Sequence, residues 1–102
     1  MDVLKQVSVG DFLHVNVYTS ANKKKISFYV CKALSDIDED GEVKVVFLRA
    51  VTKDAKRFRI EETDISYVDY EDIITILPTP AIVKRGHRIY YEFKTAINIF
   101  EK

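Results

Sequence analysis

Phe12–Tyr18 reads FLHVNVY, and this stretch shows the clearest pattern in the chain, an alternation of apolar and polar residues with a period of two. Leu13, Val15 and Val17 fall on one side of an extended segment, and mostly polar residues alternate with them on the other side. No window of the sequence shows a 3.6-residue apolar period over the length of a helix. The stretch therefore predicts a first β-strand over residues 11–18 of an all-β domain.

A second and a third strand are predicted on either side of a turn signal. Residues 26–37 are rich in aromatic and β-branched side chains, and residues 42–48 alternate again. Asp40-Gly41 tolerates the positive φ angles that a two-residue hairpin turn requires. The two strands are therefore expected to pair as a hairpin with this turn at its tip. Lys23 to Lys25 predicts a solvated basic turn before the second strand.

The chain between the third strand and Pro80 is less regular. Residues 49–64 are highly charged and predict a long loop. Four short elements are predicted in and after it: a strand at 57–60, a strand at 65–68, a single helical turn at 69–72, and a core strand at 73–77 that Pro78 and Pro80 stop. Residues 1–80 are therefore expected to form a small barrel of about five antiparallel strands.

Residues 81–102 predict an extension of the same single domain. Lys84-Arg85-Gly86 forms a basic turn signal, and the residues around it are too apolar to stay in water. We expect this segment to add one or two strands to its own sheet, or to pair with the same segment of a second copy in a homodimer.

Composition narrows the class of protein. The chain has 102 residues, 47% of them hydrophobic, and its 16 basic and 16 acidic residues give a formal net charge of zero. No global field then draws it to nucleic acid or to a membrane, so electrostatic recognition requires a local patch. The single cysteine and the lack of a long apolar run indicate an intracellular domain without a membrane partner.

The sequence offers no convincing catalytic or metal-binding constellation. Asp36 to Gly41 matches the first half of a calcium loop, but Phe47 occupies the twelfth position, where a bidentate glutamate belongs. Cys31 lies among hydrophobic residues, and His14 and His87 are far apart in sequence. We therefore predict no catalytic residue, no metal site and no cofactor, and we expect that the protein is not an enzyme.

Aromatic residues provide one candidate binding site. Tyr18, Tyr29 and Phe47 stand near the ends of predicted strands, which hairpins gather at one rim of a barrel. Aromatic faces at such a rim can hold a cation. The alternative is ordinary packing of the rim, with the tyrosine hydroxyls in water.

Basic residues provide a second candidate, a surface for phosphates. Two groups of cations stand out in the second half of the chain: Lys53, Lys56, Arg57 and Arg59, and Lys84, Arg85 and Arg88. Together they predict a nucleic-acid-binding surface. The alternative is solvated charge, which nearby acidic residues partly cancel.

Several of these segments, taken in order, resemble the Tudor and chromo-barrel group of SH3-like domains over roughly residues 7–80. The likeness is carried by Val9-Gly10-Asp11, the Tyr29 to Leu34 run, the Asp-Gly hairpin, Val45-Val46-Phe47, and Val68 with Glu71-Asp72-Ile73-Ile74. More weakly, residues 72–80 resemble a module of transposon-related and chromatin-associated animal proteins. The resemblance implies an SH3-like barrel with a 3₁₀ turn before its last strand.

The same resemblance implies a function. Members of the group hold a methylated side chain between aromatics, and Tyr18, Tyr29 and Phe47 match the first three cage positions. Ala50 stands at the fourth, where Phe58 is the candidate replacement. The leading hypothesis is a nuclear, chromatin-associated interaction module that binds a peptide or protein, such as a histone, at the aromatic rim or along an open strand edge. Nucleic-acid binding and a scaffold or dimerisation role are the alternatives.

Overall fold

The computed structural model describes residues 7–18, 26–97 and 99, and of Tyr18 and Ile26 it describes the backbone. The predicted basic turn at Lys23 to Lys25 lies outside the described residues. Seven strands are present there: β1 (Phe12–Tyr18), β2 (Ile26–Ala33), β3 (Glu42–Ala50), β4 (Arg57–Asp69), β5 (Ile73–Ile76), β6 (Ala81–Arg85) and β7 (Arg88–Glu92). The first strand therefore forms where the period-two stretch predicts it.

All seven strands belong to one antiparallel sheet with the order β5-β1-β2-β3-β4-β7-β6. The prediction of an all-β fold is confirmed. The sheet is compatible with a barrel-like shape, but its hydrogen-bonded ladder does not close, because β5 and β6 are left as edge strands.

One face of the sheet carries a cluster that we call the inner core. Adjacent residues of a strand point to opposite faces, so Leu13 of β1 and Cys31 of β2 enter this cluster while their neighbours Phe12 and Val30 do not. The buried members are Val7, Leu13, Val15, Cys31, Ala33, Val43, Val45, Val68 and Ile73. Small and β-branched side chains dominate, as expected where strands bend around a narrow interior.

The opposite face carries a second cluster, the outer core, and the C-terminal extension supplies part of it. Its buried members are Phe12, Val30, Leu48, Phe58, Phe93 and Ile97. The ring of Phe93 meets those of Phe12 and Phe58 edge-on at centroid distances of 5.9 and 5.7 Å. The extension thus packs against its own chain and covers a sheet face that would otherwise meet water.

Backbone hydrogen bonds fix the extension in place. β7 pairs with β4 at Arg57 and Phe58, and the Phe93 N–H donates to the Lys56 carbonyl at 2.8 Å. The Ile97 N–H donates to the Ala55 carbonyl at 2.9 Å. Two arrangements are expected for residues 81–102, strands added to their own sheet or pairing with a second copy. The structure shows the first.

The β2–β3 hairpin is confirmed, but its turn differs from the predicted one. The Gly41 N–H donates to the Asp38 carbonyl at 3.0 Å, so Glu39 and Asp40 are the central residues. Gly41 follows them with φ of 79° and forms the bulge of a longer loop, whereas Asp40 does not adopt a positive φ. A Cβ on Gly41 would also lie 2.8 Å from the Tyr70 ring, so two constraints favour glycine here.

The loop predicted over residues 49–64 is shorter than expected, and the short strand predicted at 57–60 within it is present as part of a longer one. β3 continues to Ala50, and β4 already begins at Arg57 and runs unbroken to Asp69. Val46 pairs with Ile65 and Leu48 with Ile60, so residues 61–64 of β4 stand opposite Phe47 alone. The charged residues of this segment therefore lie within a strand, because a wide bulge lets the extra residues point away from the core.

The single helical turn predicted before the last barrel strand is confirmed as a 3₁₀ turn at Tyr70–Asp72. The Asp69 carboxylate caps it by accepting a hydrogen bond from the Glu71 N–H at 3.0 Å. None of the helical structure in the described residues is long and apolar enough to cross a membrane.

β6 and β7 form a hairpin around Gly86 and His87. Gly86 has φ of 62°, and His87 does not have a positive φ. A positive φ at the first central residue alone matches a type II′ turn, whose twist suits two-residue hairpins. The basic turn expected from the sequence is therefore the tip of a two-stranded ribbon.

Candidate functional site

Two of the predicted rim aromatics meet. The rings of Tyr29 on β2 and Phe47 on β3 lie edge-on, with centroids 5.6 Å apart and an interplanar angle of 67°. Both are partly buried and pack against the inner core, which holds their orientation from below. Phe47 stands where β4 bulges, so its outer edge is not covered by a regularly paired neighbour.

Two adjoining depressions open on either side of Phe47. The first has a volume of about 190 Å³ and is lined by Val17, Tyr29, Phe47 and Asp64. The second has a volume of about 260 Å³ and is lined by Asn16, Val17, Phe47, Ser66, Tyr67, Val68, Asp69 and Asp72. We call these residues the aromatic rim. Val17 and Phe47 form the shared wall between the depressions.

Among the residues that the structure describes, the charged side chains that line the aromatic rim are acidic. Asp64 borders the first depression, and Asp69 and Asp72 border the second. Among the described residues, no lysine or arginine lines either depression. Ring faces beside carboxylates attract cations, because the quadrupole of the ring and the formal charge of the carboxylate act in the same direction.

The other two predicted rim aromatics do not join this pair. The side chain of Tyr18 lies outside the described residues. Phe58 is 1% exposed and belongs to the outer core, on the opposite face of the sheet, where its ring packs on Phe93. The expectation that Phe58 replaces the fourth cage residue is therefore corrected: β4 pairs with β3 already at residue 58, so no loop exists that could fold it over the rim.

Sequence reasoning missed Asp64 and Tyr67 as rim residues. The sequence places Asp64 in the predicted charged loop and Tyr67 in a predicted strand. Only the bulge of β4 brings Asp64 beside Phe47, and the length of that bulge has no signal in the sequence. Tyr67 is 59% exposed although it shares its side of the strand with the apolar Ile65, so the alternation of residues 65–68 does not mark it as outward-facing.

The arginines of β4 lie beside acidic side chains. Arg57 donates to Glu92 Oε1 from Nε at 2.9 Å and from Nη2 at 2.6 Å, across the β4–β7 pairing. Arg59 Nε lies 3.3 Å from Glu61 Oε1, and Arg49 Nε lies 3.9 Å from the same oxygen. The Arg57–Glu92 contact thus links β4 to β7, whereas Arg49 and Arg59 share a single carboxylate and stay partly exposed.

The predicted basic residues do not form one patch. Lys53 and Lys56 are exposed in the β3–β4 loop, beside the base of the β6–β7 hairpin. Lys84, Arg85 and Arg88 are exposed at the other end of that hairpin, around its turn. The length of β7 separates the two groups.

Cys31 lies inside the inner core with no exposed surface. Desolvation by burial raises the pKa of its thiol from 9.0 to about 12. The thiol is therefore protonated at neutral pH, and a protonated thiol is a poor nucleophile.

The acidic segment from Asp36 to Gly41 uses its carboxylates to order the backbone. Asp38 Oδ1 accepts hydrogen bonds from the N–H groups of Asp40 and Glu42, each at 2.9 Å. Asp36 Oδ1 accepts from the Val9 N–H at 3.1 Å. In the part of the chain that the structure describes, no group of three or more histidine, cysteine or acidic side chains is placed to hold a metal ion.

We predict that calcium does not bind at this segment. The closing carboxylate is replaced by Phe47, and a hairpin loop of this kind cannot wrap the ion with enough oxygens. Isothermal titration calorimetry should show no heat of binding beyond dilution. Micromolar affinity for calcium that is lost in Asp38→Asn would contradict this prediction.

Comparison with protein-family models, with curated protein sequences and with solved structures finds no significant match to this chain. The class that the fold itself defines is a small all-β domain built on one antiparallel sheet, compatible with a barrel-like shape. Its function must be argued from its surfaces.

Proposed function

We propose that this domain is a non-catalytic interaction module that binds a protein or peptide by receiving one cationic side chain at the aromatic rim. The observation that carries the proposal is the partly buried Tyr29–Phe47 pair, whose two rings line one depression beside Asp64, while Phe47 also lines a second depression beside Asp69 and Asp72. A lysine, an arginine or a methylated form of either has the matching charge and shape.

The magnitude of the proposed interaction is modest. A cation over an aromatic face contributes about 0.5–1 kcal/mol at an exposed site and about 2 kcal/mol when desolvated. Two rings and the carboxylate of Asp64 then support selective but weak binding of a single side chain, and neighbouring peptide contacts have to supply the rest. The rim is open enough to accept a side chain from an extended peptide.

The resemblance to Tudor and chromo-barrel domains supports the same assignment. Tyr29 and Phe47 match cage positions of that group. The resemblance therefore favours a chromatin protein, such as a histone, as the partner. With Ala50 at the fourth position and Phe58 in the outer core, we propose an incomplete cage in which Asp64 takes part.

The test compares three fluorescent peptides that differ in one central residue, which is lysine, trimethyllysine or norleucine. Fluorescence anisotropy with the whole chain should show tighter binding of the two cationic peptides than of the norleucine peptide. Phe47→Leu and Tyr29→Leu keep apolar packing but remove a ring, and each should weaken binding of the cationic peptides about threefold to tenfold.

Two controls separate the rim from general effects. Tyr90→Leu removes an aromatic ring from β7, outside the rim, and should leave affinity unchanged. Asp64→Asn should weaken the cationic peptides and leave the norleucine peptide unaffected. Equal affinity for all three peptides, or insensitivity to both ring variants, would show that the rim is not the binding site.

A further inference from the structure

The β6–β7 hairpin, which we call the basic ribbon (residues 81–92), concentrates positive charge in a chain of zero net charge. Residues 73–91 contain no aspartate or glutamate, yet Lys84, Arg85 and Arg88 lie within them, together with His87. All four side chains are exposed. Charge separation of this kind creates the local patch that the overall composition lacks.

The tip of the basic ribbon is free of the rest of the sheet. Five residue pairs join β6 to β7, from Ala81 with Glu92 to Arg85 with Arg88. β7 in turn pairs with β4 only near its end, at Tyr91 and Glu92. Beyond this pairing, towards the tip, β4 and β7 border a depression of about 370 Å³. It is lined by Arg59, Ile60, Glu62, His87, Arg88, Ile89, Tyr90 and Tyr91.

The cations of the basic ribbon differ from the arginines of β4 because they form no ion pair with the described residues. Arg57 and Arg59 are paired with Glu92 and Glu61. Within the described ranges, no ion pair joins Lys84, Arg85 or Arg88 to a carboxylate. Glu62 is the acidic residue among those that line the depression.

The cations occupy both faces of the ribbon. Arg85 and Arg88 are direct cross-strand partners and therefore share one face. Lys84 precedes Arg85 in the same strand and therefore points to the other face, beside its partner Ile89. A flat ligand lying on one face would meet only part of this charge.

We propose that the basic ribbon binds double-stranded nucleic acid, with its tip entering the groove between the two phosphate rows. The major groove of B-form DNA is about 12 Å wide and admits a two-stranded ribbon. Phosphates line both sides of the groove, so cations on both faces find partners. This activity is independent of the aromatic rim, which shares no lining residue with the depression beside the ribbon.

The test measures binding of the whole chain to a fluorescent 16-base-pair DNA duplex by anisotropy at several salt concentrations. With about three phosphate contacts, the slope of log affinity against log salt should lie near −2.7. Arg85→Gln combined with Arg88→Gln should lower affinity roughly tenfold or more at low salt and reduce the slope by about two.

The matched control is Lys53→Gln combined with Lys56→Gln, which removes the same charge from the exposed loop at the far end of the ribbon. This variant should bind the duplex almost as the parent does. Equal losses in the two double variants would indicate diffuse electrostatic attraction and overturn the proposal. An absence of duplex binding at low salt would also overturn it, as would binding of an acidic peptide in preference to DNA, which would assign the ribbon to a protein partner.

Discussion

A chain that ends at Pro80 is expected to aggregate or to unfold at a much lower temperature than the parent. Phe93 and Ile97 are 4% and 8% exposed, and they cover Phe12 and Phe58 on the outer face of the sheet. Truncation removes both covering side chains and leaves the aromatic residues below them in water. It also leaves β4 without the backbone partners that β7 provides at Arg57 and Phe58.

The expected effect is large compared with the stability of a small domain. Each fully buried large side chain contributes about 1.5–3 kcal/mol, and a domain of this size is stable by only about 5–15 kcal/mol in total. Losing the extension therefore removes a substantial fraction of the free energy of unfolding. Size-exclusion chromatography and thermal unfolding followed by circular dichroism would measure the loss.

A single substitution tests the same contact without truncation. Phe93→Ala should lower the free energy of unfolding by about 3–5 kcal/mol, because it leaves a cavity between Phe12 and Phe58. Ile82→Ala in β6 is the control, since Ile82 is exposed and should change stability little. A truncated chain that remains soluble, monomeric and as heat-stable as the parent would show that the extension is dispensable for folding.

The second large effect concerns Cys31 in the inner core. Cys31→Asp is expected to unfold the domain, because a carboxylate there would have no water and no cationic partner among its inner-core neighbours. Cys31→Ala should cost only about 1–2 kcal/mol for lost packing. Urea unfolding of the two variants beside the parent would measure the difference.

The buried thiol also predicts a pH dependence. Its pKa is raised from 9.0 to about 12, so the folded state keeps the proton more tightly than the unfolded state does. The contribution of Cys31 is therefore fully present below pH 9 and is lost as the pH rises from 9 towards 12. The slope of this loss is about 1.4 kcal/mol per pH unit.

Comparison with Cys31→Ala isolates this contribution from tyrosine and lysine titration. The parent should lose stability more steeply above pH 9 than the variant, as followed by urea unfolding at each pH. The native thiol should also react slowly with a thiol reagent at pH 8. Rapid labelling of the folded parent, or equal pH profiles for the two proteins, would place Cys31 outside the core.

Local patterns in the sequence determined the class of fold and much of the strand content. The period-two alternation of residues 12–18 predicts β1 because a half-buried strand must alternate, whatever its partners are. The acidic pair Glu71-Asp72 after Asp69 predicts the 3₁₀ turn. The prediction is local because Asp69, which caps the turn, accepts its hydrogen bond from the N–H of Glu71, two residues further on. The burial of Cys31 follows from its apolar neighbours in the same way.

Tertiary structure decided which residues join Tyr29 and Phe47 at the aromatic rim, and which of the two expected arrangements the extension adopts. Asp64 reaches Phe47 because β4 bulges against β3, and Phe58 faces away because it pairs with Ala50, which lies on the outer-core face of β3. Both outcomes depend on register, and a change of one residue in register turns a side chain to the other face. Local sequence does not encode register between strands of this kind, since it is set by the packing of both faces together.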